Sequence, residues 1–369
     1  FSGVFQGNGH SIKGLKMNST NNEGYKHAGL FCSLKDAAVE NLVIDSSCSF
    51  TGDRAGALSV SVTGSLTVKN TTNNAVVSGT ERLGGFVGCV QDLKQTVLSF
   101  ELCANNGNVT GSGRAIGGFV GEISSNTNIT MTISNFINNG NVNGDNMIGG
   151  FAGSISSNTD MTLATFNYVN NGTTVGSHDN VAGFTGIIEN NANMTMTISN
   201  SINSGDSTEG GSYVGGFVGQ IRDNTNMDMT ISNTINNGTV TGSEGLVGGF
   251  VGSVADSVNQ TVAISDSINN ANVTGSKNYV GGFIGFLGSA FQKHSISLDI
   301  INGANKGNVS SKQGIACGFF CVNILKSYNI NTTLKNSINK GSVNAATNGY
   351  GITNIITEAR NVVSMGDVT

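Results

Sequence analysis

Residues 111–122 read GSGRAIGGFVGE, and the core of this stretch returns along the chain. Three glycines before an apolar run would suit a phosphate-binding loop, but such a loop occurs once and leads into a helix. Here GGFVG or a close variant recurs about every 33 residues. The Phe residues that mark it are Phe86, Phe119, Phe151, Phe184, Phe217, Phe250, Phe283 and Phe319, separated by 33, 32, 33, 33, 33, 33 and 36 residues. Such a period indicates one structural unit per copy, each stacked on the next.

Weaker copies extend the repeat over nearly the whole chain. They read AGLFC at 28–32, AGALS at 55–59 and YGITN at 350–354, which gives about eleven copies in 369 residues. We therefore expect a single solenoid domain over 1–369. Its parts are degenerate rungs at 1–82, regular repeats at 83–315 and divergent rungs at 316–369. The sequence stops in mid-repeat, so we expect the rod to continue in a longer protein.

The composition of one copy favours β-strands over helices. In 117–149, strand-like pieces alternate with turns rich in Ser, Asn, Asp and Gly. The apolar residues Ile129, Met131, Ile133 and Ile137 alternate with Thr130, Thr132 and Ser134, which is the period of a strand with one buried face. The sequence predicts an all-β, right-handed parallel β-helix of about eleven rungs, with about 33 residues and three short strands per rung. At about 4.8 Å per rung, the rod would be roughly 50 Å long.

If the repeats stack as rungs, the residues at one aligned position form a column, or ladder, along the rod. We expect the Phe residues to form an internal aromatic stack, with the apolar residue four positions later packed behind it. The Gly two positions after each Phe, such as Gly121, would leave room for the rings, and the Gly pair before the Phe would allow a bend. The apolar residues are Ile123, Ile155, Ile188, Ile221, Val254 and Leu287.

A second ladder is aligned on the NNGNV segment. It places Asn at one position in nine successive rungs: Asn73, Asn105, Asn138, Asn170, Asn203, Asn236, Asn269, Asn305 and Asn339. Two interpretations are open at this stage. The side-chain amides could hydrogen-bond along the rod, or Asn could serve because it tolerates a left-handed turn.

Composition and charge exclude several classes of function. Only 11% of residues are charged, the net charge is −5, and no basic stripe is visible, so we expect no nucleic-acid partner. No window approaches 18 apolar residues, so we expect no membrane insertion in this segment. The chain starts at Phe1 and shows no signal segment, which suggests a processed or partial chain.

The sequence carries no recognisable catalytic or metal motif. His10, His27, His178 and His294 fall at unrelated phases of the repeat, which argues against a triad. We expect most acidic residues to be solvated surface charges scattered over different columns: Glu122, Asp145, Asp160, Asp223, Asp228 and Asp256. No calcium-binding nonapeptide is present. The sequence therefore predicts no catalytic, metal or cofactor site.

Outward Thr positions form two columns on the longest strand. They are Thr130, Thr162, Thr195 and Thr261, and Thr132, Thr197, Thr230 and Thr333. Such a strip would suit an ice-binding or carbohydrate-binding face. Asp228, Ala164, Ala263 and Asp299 interrupt it, so we expect ordinary β-propensity.

The six cysteines do not form a disulfide framework or paired CxxC motifs. Cys317 and Cys321 replace the glycines that flank Phe319 and lie four residues apart. They could form a disulfide or bind a metal, but we expect buried free thiols.

Eleven Asn-x-Ser/Thr sequons suggest N-glycosylation, although this composition would supply about ten by chance. The candidate acceptors are Asn18, Asn70, Asn108, Asn128, Asn171, Asn193, Asn237, Asn259, Asn272, Asn308 and Asn331.

The GGFVG core, the following NNGNV segment and the opening FSGVFQGNGHSIKGL at 1–15 resemble the GLUG repeat. This glycine-rich motif occurs in large adhesin-like surface proteins of bacteria and protists. Phe stands here where the family often has Leu. The resemblance implies an extracellular or cell-surface setting and adhesion, with no catalytic residues. The partners we expect are a glycan or the surface of a host or neighbouring cell.

The leading hypothesis is a non-enzymatic structural or adhesive solenoid, a segment of a larger surface or secreted repeat protein. One alternative is a subunit of a self-assembling extracellular fibre, associating end to end or laterally. The other is a carbohydrate-active β-helix enzyme, which needs carboxylates, or a basic and an acidic group, converging from adjacent rungs.

Overall fold

A computed structural model describes residues 1–19, 26–209, 211–289, 294–327, 329–354 and 356–369. Over these residues the chain forms a right-handed parallel β-solenoid with about 33 residues per turn and about ten turns. Every strand pairing in the five sheets joins one turn to the next in parallel register. The predicted fold class is therefore confirmed. We number the sheets 1 to 5 in the order in which the chain passes through them.

Sheet 1 contains five strands of eight residues, which alternate buried and outward side chains. In Thr127–Ser134, Ile129, Met131 and Ile133 are buried and the Thr side chains between them face outward. The strands of sheet 1 are Gly3–Gln6, Ala37–Glu40, Leu66–Lys69, Lys94–Glu101, Thr127–Ser134, Thr162–Phe166, Ala192–Ser199, Thr225–Ser232, Val258–Ser265, Ile296–Ile301, Ile330–Lys335 and Glu358–Arg360.

Sheets 2 and 3 consist of much shorter strands. The strands of sheet 2 are Ser11–Ile12, Val43–Ile44, Thr72–Asn73, Ala104–Asn105, Ile137–Asn138, Val169–Asn170, Ile202–Asn203, Ile235–Asn236, Ile268–Asn269, Ala304–Asn305, Ile338–Asn339 and Val363–Ser364. The strands of sheet 3 are Lys16–Asn18, Ser49–Gly52, Val76–Gly79, Val109–Gly111, Val142–Gly144, Thr174–Gly176, Ser207–Glu209, Val240–Gly242, Val273–Gly275, Val309–Ser311 and Val343–Ala345.

Sheets 4 and 5 flank the glycine-rich corner. The strands of sheet 4 are His27–Ala28, Arg54–Gly56, Leu83–Gly84, Arg114–Gly117, Asn146–Gly149, Val181–Ala182, Val214–Gly215, Leu246–Gly248, Tyr279–Gly281, Ile315–Cys317 and Asn348–Tyr350. The strands of sheet 5 are Phe31–Leu34, Ser59–Val62, Val87–Gln91, Val120–Ser124, Ala152–Ser156, Thr185–Glu189, Val218–Arg222, Val251–Ala255, Ile284–Ser289 and Phe320–Ser327.

The expectation of three strands per rung was wrong, because each full rung has five. The GGFVGEI segment is divided at Gly118 and Phe119 into Arg114–Gly117 and Val120–Ser124. The NITMTISNFIN segment is likewise divided into Thr127–Ser134 and Ile137–Asn138, so Ile137 is exposed on sheet 2, and its expected place on the buried face was wrong. A two-residue strand is too short to show a period of two, so its presence could not be read from alternation.

Left-handed backbone conformations form most of the corners. Asn135, Asn200 and Asn233 follow sheet 1 in successive or nearby rungs, with φ of 55°, 52° and 51°. Asn is among the few residues other than Gly that adopt this region at low cost. The need for such corners explains part of the abundance of Asn.

Two glycines precede six of the eight Phe residues, and backbones meet closely at these positions, although Ala182 and Cys317 occupy the first position before Phe184 and Phe319. A Cβ on Gly117 would lie 2.0 Å from the carbonyl oxygen of Val120. A Cβ on Gly118 would lie 2.3 Å from the carbonyl oxygen of Gly150 and 2.6 Å from the Asn138 amide oxygen of the next rung. The missing side chains at Gly117 and Gly118 therefore let the chain turn and leave space for the amide of the Asn ladder.

Gly121 has a different purpose from the one expected. A Cβ there would lie 2.6 Å from the carbonyl carbon of Arg82 and 2.7 Å from the backbone nitrogen of Leu83. The glycine makes room for the backbone of sheet 4 in the preceding rung, and not for the Phe rings.

Candidate functional site

The Phe column lies inside the rod, where all eight members are fully buried. Ring centroids of successive members are 4.6 to 5.5 Å apart in the pairs Phe86–Phe119, Phe119–Phe151, Phe151–Phe184, Phe217–Phe250, Phe250–Phe283 and Phe283–Phe319. The apolar residues four positions later are also fully buried. These columns form the core, and no ligand can reach them.

A second, shorter aromatic column packs against the first one and was not predicted. Phe136 and Tyr168 stack on each other with centroids 6.2 Å apart. The Phe136 ring meets Phe119 edge-on at 4.7 Å. Tyr168 donates to the Gly183 carbonyl at 3.0 Å, and its complete burial raises the pKa of its phenol well above the usual value. This phenol is a structural donor and not an acid available for chemistry.

The Asn ladder on sheet 2 is confirmed. Nδ2 of each of the first eight members donates to Oδ1 of the next at 2.7 to 2.9 Å, and all nine side chains are fully buried. Each Nδ2 also donates to the carbonyl two residues later, as Asn138 does to Gly140 at 2.9 Å. None of the nine has a positive φ, so the left-handed-turn interpretation is wrong for this column.

A further buried Asn column connects sheet 5 to sheet 1 and escaped the sequence analysis. Its members are Asn126, Asn158, Asn191 and Asn224, each 1% exposed or less. Their amides donate along the column at 2.9 to 3.0 Å and also bond to sheet 5 carbonyls. Aligning the NTN and NNAN segments that follow each GGFVG would have found it. Both buried columns satisfy polar groups of the corners and leave no group for a ligand.

The outward face of sheet 1 is the surface best suited to binding. We call it the polar face and define it by three outward columns between residues 128 and 299. The first column is Asn128, Asp160, Asn193, Asn226, Asn259 and Ser295. The second is Thr130, Thr162, Thr195, Asp228, Thr261 and Ser297, and the third is Thr132, Ala164, Thr197, Thr230, Ala263 and Asp299.

Hydrogen bonds hold the first column of the polar face in a fixed arrangement. Asn193 donates to Asp160, Asn226 to Asn193 and Asn259 to Asn226, at 2.9 to 3.0 Å. Ser295 Oγ donates to Asn259 Oδ1 at 3.0 Å. Unlike the internal ladders, this column is exposed along most of its length, so its amides and hydroxyls can contact a ligand.

A depression of about 370 Å³ interrupts the polar face. We call it the notch. It lies where the strands of sheet 1 shorten from eight residues in Val258–Ser265 to six in Ile296–Ile301 and Ile330–Lys335. Its lining residues are Asn226, Asp228, Asn259, Gln260, Thr261, Ser295, Ile296, Ser297, Asn329 and Asn331.

The most buried ion pair in the described part of the chain lies near sheets 4 and 5. Glu122 contacts Arg82 at 2.8 Å, and both side chains are mostly buried, which corrects the expectation that Glu122 is a solvated surface charge. Arg222 contacts Glu189 at 2.6 Å and Asp223 at 3.8 Å. Burial acts to lower the pKa of Arg222, but hydrogen bonding to Glu189 and its charge outweigh burial and raise that pKa.

The remaining predicted acids and histidines do not assemble into a catalytic group. His178 pairs with Asp145 and His294 lies 3.6 Å from Asp256, in different parts of the rod. Asp160 and Asp228 lie two rungs apart on the polar face. Within the described ranges, no group of three or more His, Cys, Asp or Glu side chains could hold a metal ion.

Cys317 and Cys321 form a disulfide, so the expectation of free thiols was wrong. On one continuous strand, residues four apart would be separated by about 13 Å. In fact the corner at Phe319 separates Ile315–Cys317 of sheet 4 from Phe320–Ser327 of sheet 5, and the two Cα atoms are 5.7 Å apart. Cys48, Cys89 and Cys103 are buried free thiols, whereas Cys32 is exposed.

All eleven sequon asparagines are exposed on the surface. Asn128, Asn193, Asn259 and Asn331 lie on or beside the polar face, and several others lie at the corner between sheets 2 and 3. Exposure is a requirement for modification, and the fold meets it at each of these sites.

Comparison of the chain with protein-family models, curated proteins and solved structures finds no match. In the described part of the chain, no helix is long and apolar enough to cross a bilayer.

Proposed function

We propose that this chain is a non-enzymatic, extracellular structural or adhesive rod, a segment of a larger surface or secreted repeat protein of the GLUG type. The observation that carries the proposal is the difference between the side chains inside the rod and those on its surface. Phe and Asn columns repeat inside the rod in rung after rung, while the outward columns of sheet 1 consist mainly of Asn, Thr and Ser. Such a design suits a spacer or a display surface.

The ion pairs support a non-enzymatic role. Arg222, Glu189 and Asp223 form a mixed basic and acidic cluster of the kind that a polysaccharide-cleaving enzyme requires. The raised pKa keeps Arg222 protonated, so it cannot act as a general base. Its contacts with Glu189 also occupy that carboxylate.

The buried disulfide supports an oxidising compartment. Stable structural disulfides are typical of secreted and surface proteins and rare in the cytosol. We expect mass spectrometry of denatured, alkylated protein from the source cells to count four free thiols, and six after reduction. Six free thiols without reduction would contradict the extracellular assignment.

Adhesion is tested with beads that carry the purified chain. We expect these beads to be retained on cells or extracellular matrix above albumin-coated beads, with no release of reducing ends from a panel of polysaccharides. Sustained turnover of any polysaccharide would overturn the non-enzymatic proposal. Retention equal to that of albumin would restrict the role to a structural spacer.

Self-association into a fibre is a second candidate, favoured by an aliphatic column on the outside of sheet 2. Its members Ile137, Val169, Ile202, Ile235 and Ile268 are partly or fully exposed and pair in register from rung to rung. Lateral packing of two rods would cover them. Electron micrographs that show only short, separate rods at high protein concentration would exclude this candidate.

A further inference from the structure

The notch on the polar face has the chemistry of a small-ligand site. Its volume of about 370 Å³ falls within the usual range of ligand pockets. Eight of its ten lining residues carry an amide or a hydroxyl group, and Asp228 is the one carboxylate among the ten. This surface offers both donors and acceptors to a ligand rich in hydroxyl groups.

The charge of the notch selects against anionic ligands. No lysine or arginine occurs among the described residues that line it. A sulfate, phosphate or uronate group would meet Asp228 with no compensating cation. The complementary ligand therefore carries no negative charge.

Gln260 is a polar residue in an apolar column. Its counterparts on the inward side of sheet 1 are Met194, Met227 and Ile296. Gln260 is 1% exposed, and its Nε2 donates to the carbonyls of Met227 and Thr261 at 3.1 Å. Its Oε1 has no hydrogen-bond partner, although the residue lines the notch.

A buried acceptor without a donor destabilises a fold, so its presence beneath a surface depression points to a ligand that supplies the donor. A hydroxyl group that enters the floor of the notch, after a small shift of the Gln260 side chain, would supply it. The neighbouring Asn259 amide is already oriented by its bonds to Asn226 and Ser295.

A peptide strand does not fit this site as well. Ile296–Ile301 pairs on one side with Val258–Ser265 and on the other with Ile330–Lys335, so these strands leave no free edge for strand addition. Ile296 is the one apolar side chain among the described lining residues and is 1% exposed, so it offers little apolar surface to anchor a peptide side chain.

We propose that the notch binds a sugar residue of a neutral glycan, with Asp228, Asn259, Thr261 and Ser297 as its polar contacts and Gln260 Oε1 accepting from a sugar hydroxyl. This inference rests on the proposed adhesive function and names its ligand class. Binding at one such site is weak, and many rods on a surface would raise the avidity.

The test is a glycan array that carries neutral, sialylated and sulfated oligosaccharides, probed with the chain produced in bacteria so that Asn259 and Asn331 carry no N-glycan. Hits are then titrated by calorimetry. The notch is blocked with Ser297→Arg and Asp228→Lys, and Thr132→Arg on the same face, away from the notch, is the matched control. We expect at least a tenfold weaker affinity in both notch variants and an unchanged affinity in the control.

Gln260→Met provides an independent measurement. It restores the residue type of the column, so we expect a higher urea midpoint together with at least tenfold weaker sugar binding. A structural role alone would not combine greater stability with lost binding.

Three results would overturn the proposal: no neutral glycan bound at millimolar concentration, binding only to charged glycans, or equal binding by the notch variants and the control. If the notch variants lose no bead retention on cells, the adhesive function stands and this site for it fails. If beads carrying the unmodified chain are not retained either, the adhesive function fails as well.

Discussion

Replacing Asn138 by Ala should open the rod locally, because three buried hydrogen bonds depend on this side chain. Its Nδ2 donates to Gly140 at 2.9 Å and to Asn170 at 2.8 Å, and its Oδ1 accepts from Asn105 at 2.9 Å. Each such bond contributes about 1 kcal/mol, and the buried partners left unpaired add a further cost. The expected loss of local stability is about 3 to 5 kcal/mol.

The matched control is Asn139→Ala at the adjacent position. Asn139 also belongs to an amide column, since it donates to Asn106 at 2.7 Å and accepts from Asn171 at 2.8 Å, but it is exposed. Water replaces these partners in the variant, so the cost should be less than about 1 kcal/mol. The pair separates the effect of burial from that of hydrogen bonding alone.

Hydrogen exchange followed by mass spectrometry is the suitable assay, because solenoids open locally and a single midpoint would average over many rungs. If 3 kcal/mol of local stability is lost, amide hydrogens should exchange about 100-fold faster in peptides that contain Asn105, Asn138 and Asn170. Peptides several rungs away should change little. Equal exchange in Asn138→Ala and Asn139→Ala would refute the claim that the internal ladder stabilises the rod.

Three further outcomes test the core, the thiols and the corner. Phe151→Ala should lower the free energy of unfolding by about 3 to 5 kcal/mol, because the Phe151 ring is fully buried. Phe166→Ala should lower it much less, because the Phe166 side chain is 39% exposed. Denaturation in urea compares the two variants. Burial raises the pKa of Cys103 to about 12, so this thiol is protonated and unreactive at pH 8. Iodoacetamide should therefore label the exposed Cys32 first. Rapid labelling of Cys103 in the native protein would contradict its burial. Glu122→Gln should lower the urea midpoint more than the same change in an exposed ion pair, because Glu122 is mostly buried against Arg82. Equal decreases of the midpoint in the two variants would indicate that Glu122 is in contact with solvent.

Periodicity predicted the main architecture because a solenoid repeats its physical constraints at a fixed interval. Every rung needs a ring at the position of Phe119 and an amide at the position of Asn138, so both columns were visible in the sequence. The division into five sheets was not visible. Strands of two residues, such as Ile137–Asn138, carry no alternation, and the corner at Gly118 lies inside an unbroken run of glycine and apolar residues.

The features that differ from rung to rung were the ones that the sequence could not predict. The Cys317–Cys321 bond depends on a corner that brings two strands together, and the notch depends on where strands of sheet 1 end. Gln260 gave a usable signal, since it is a polar residue in a column of Met and Ile. That signal becomes clear only after the register of sheet 1 is known.

The amides of the sheet 2 ladder all point the same way. From Asn73 to Asn305, the nitrogen of each rung donates to the oxygen of the following rung. Their dipoles therefore add along the axis, and each bond polarises its neighbours. The interior of the rod thus has an electrical polarity set by the direction in which the chain winds. A rung inserted with the opposite amide orientation would lose both bonds to its neighbouring rungs and its own bond to the carbonyl two residues later.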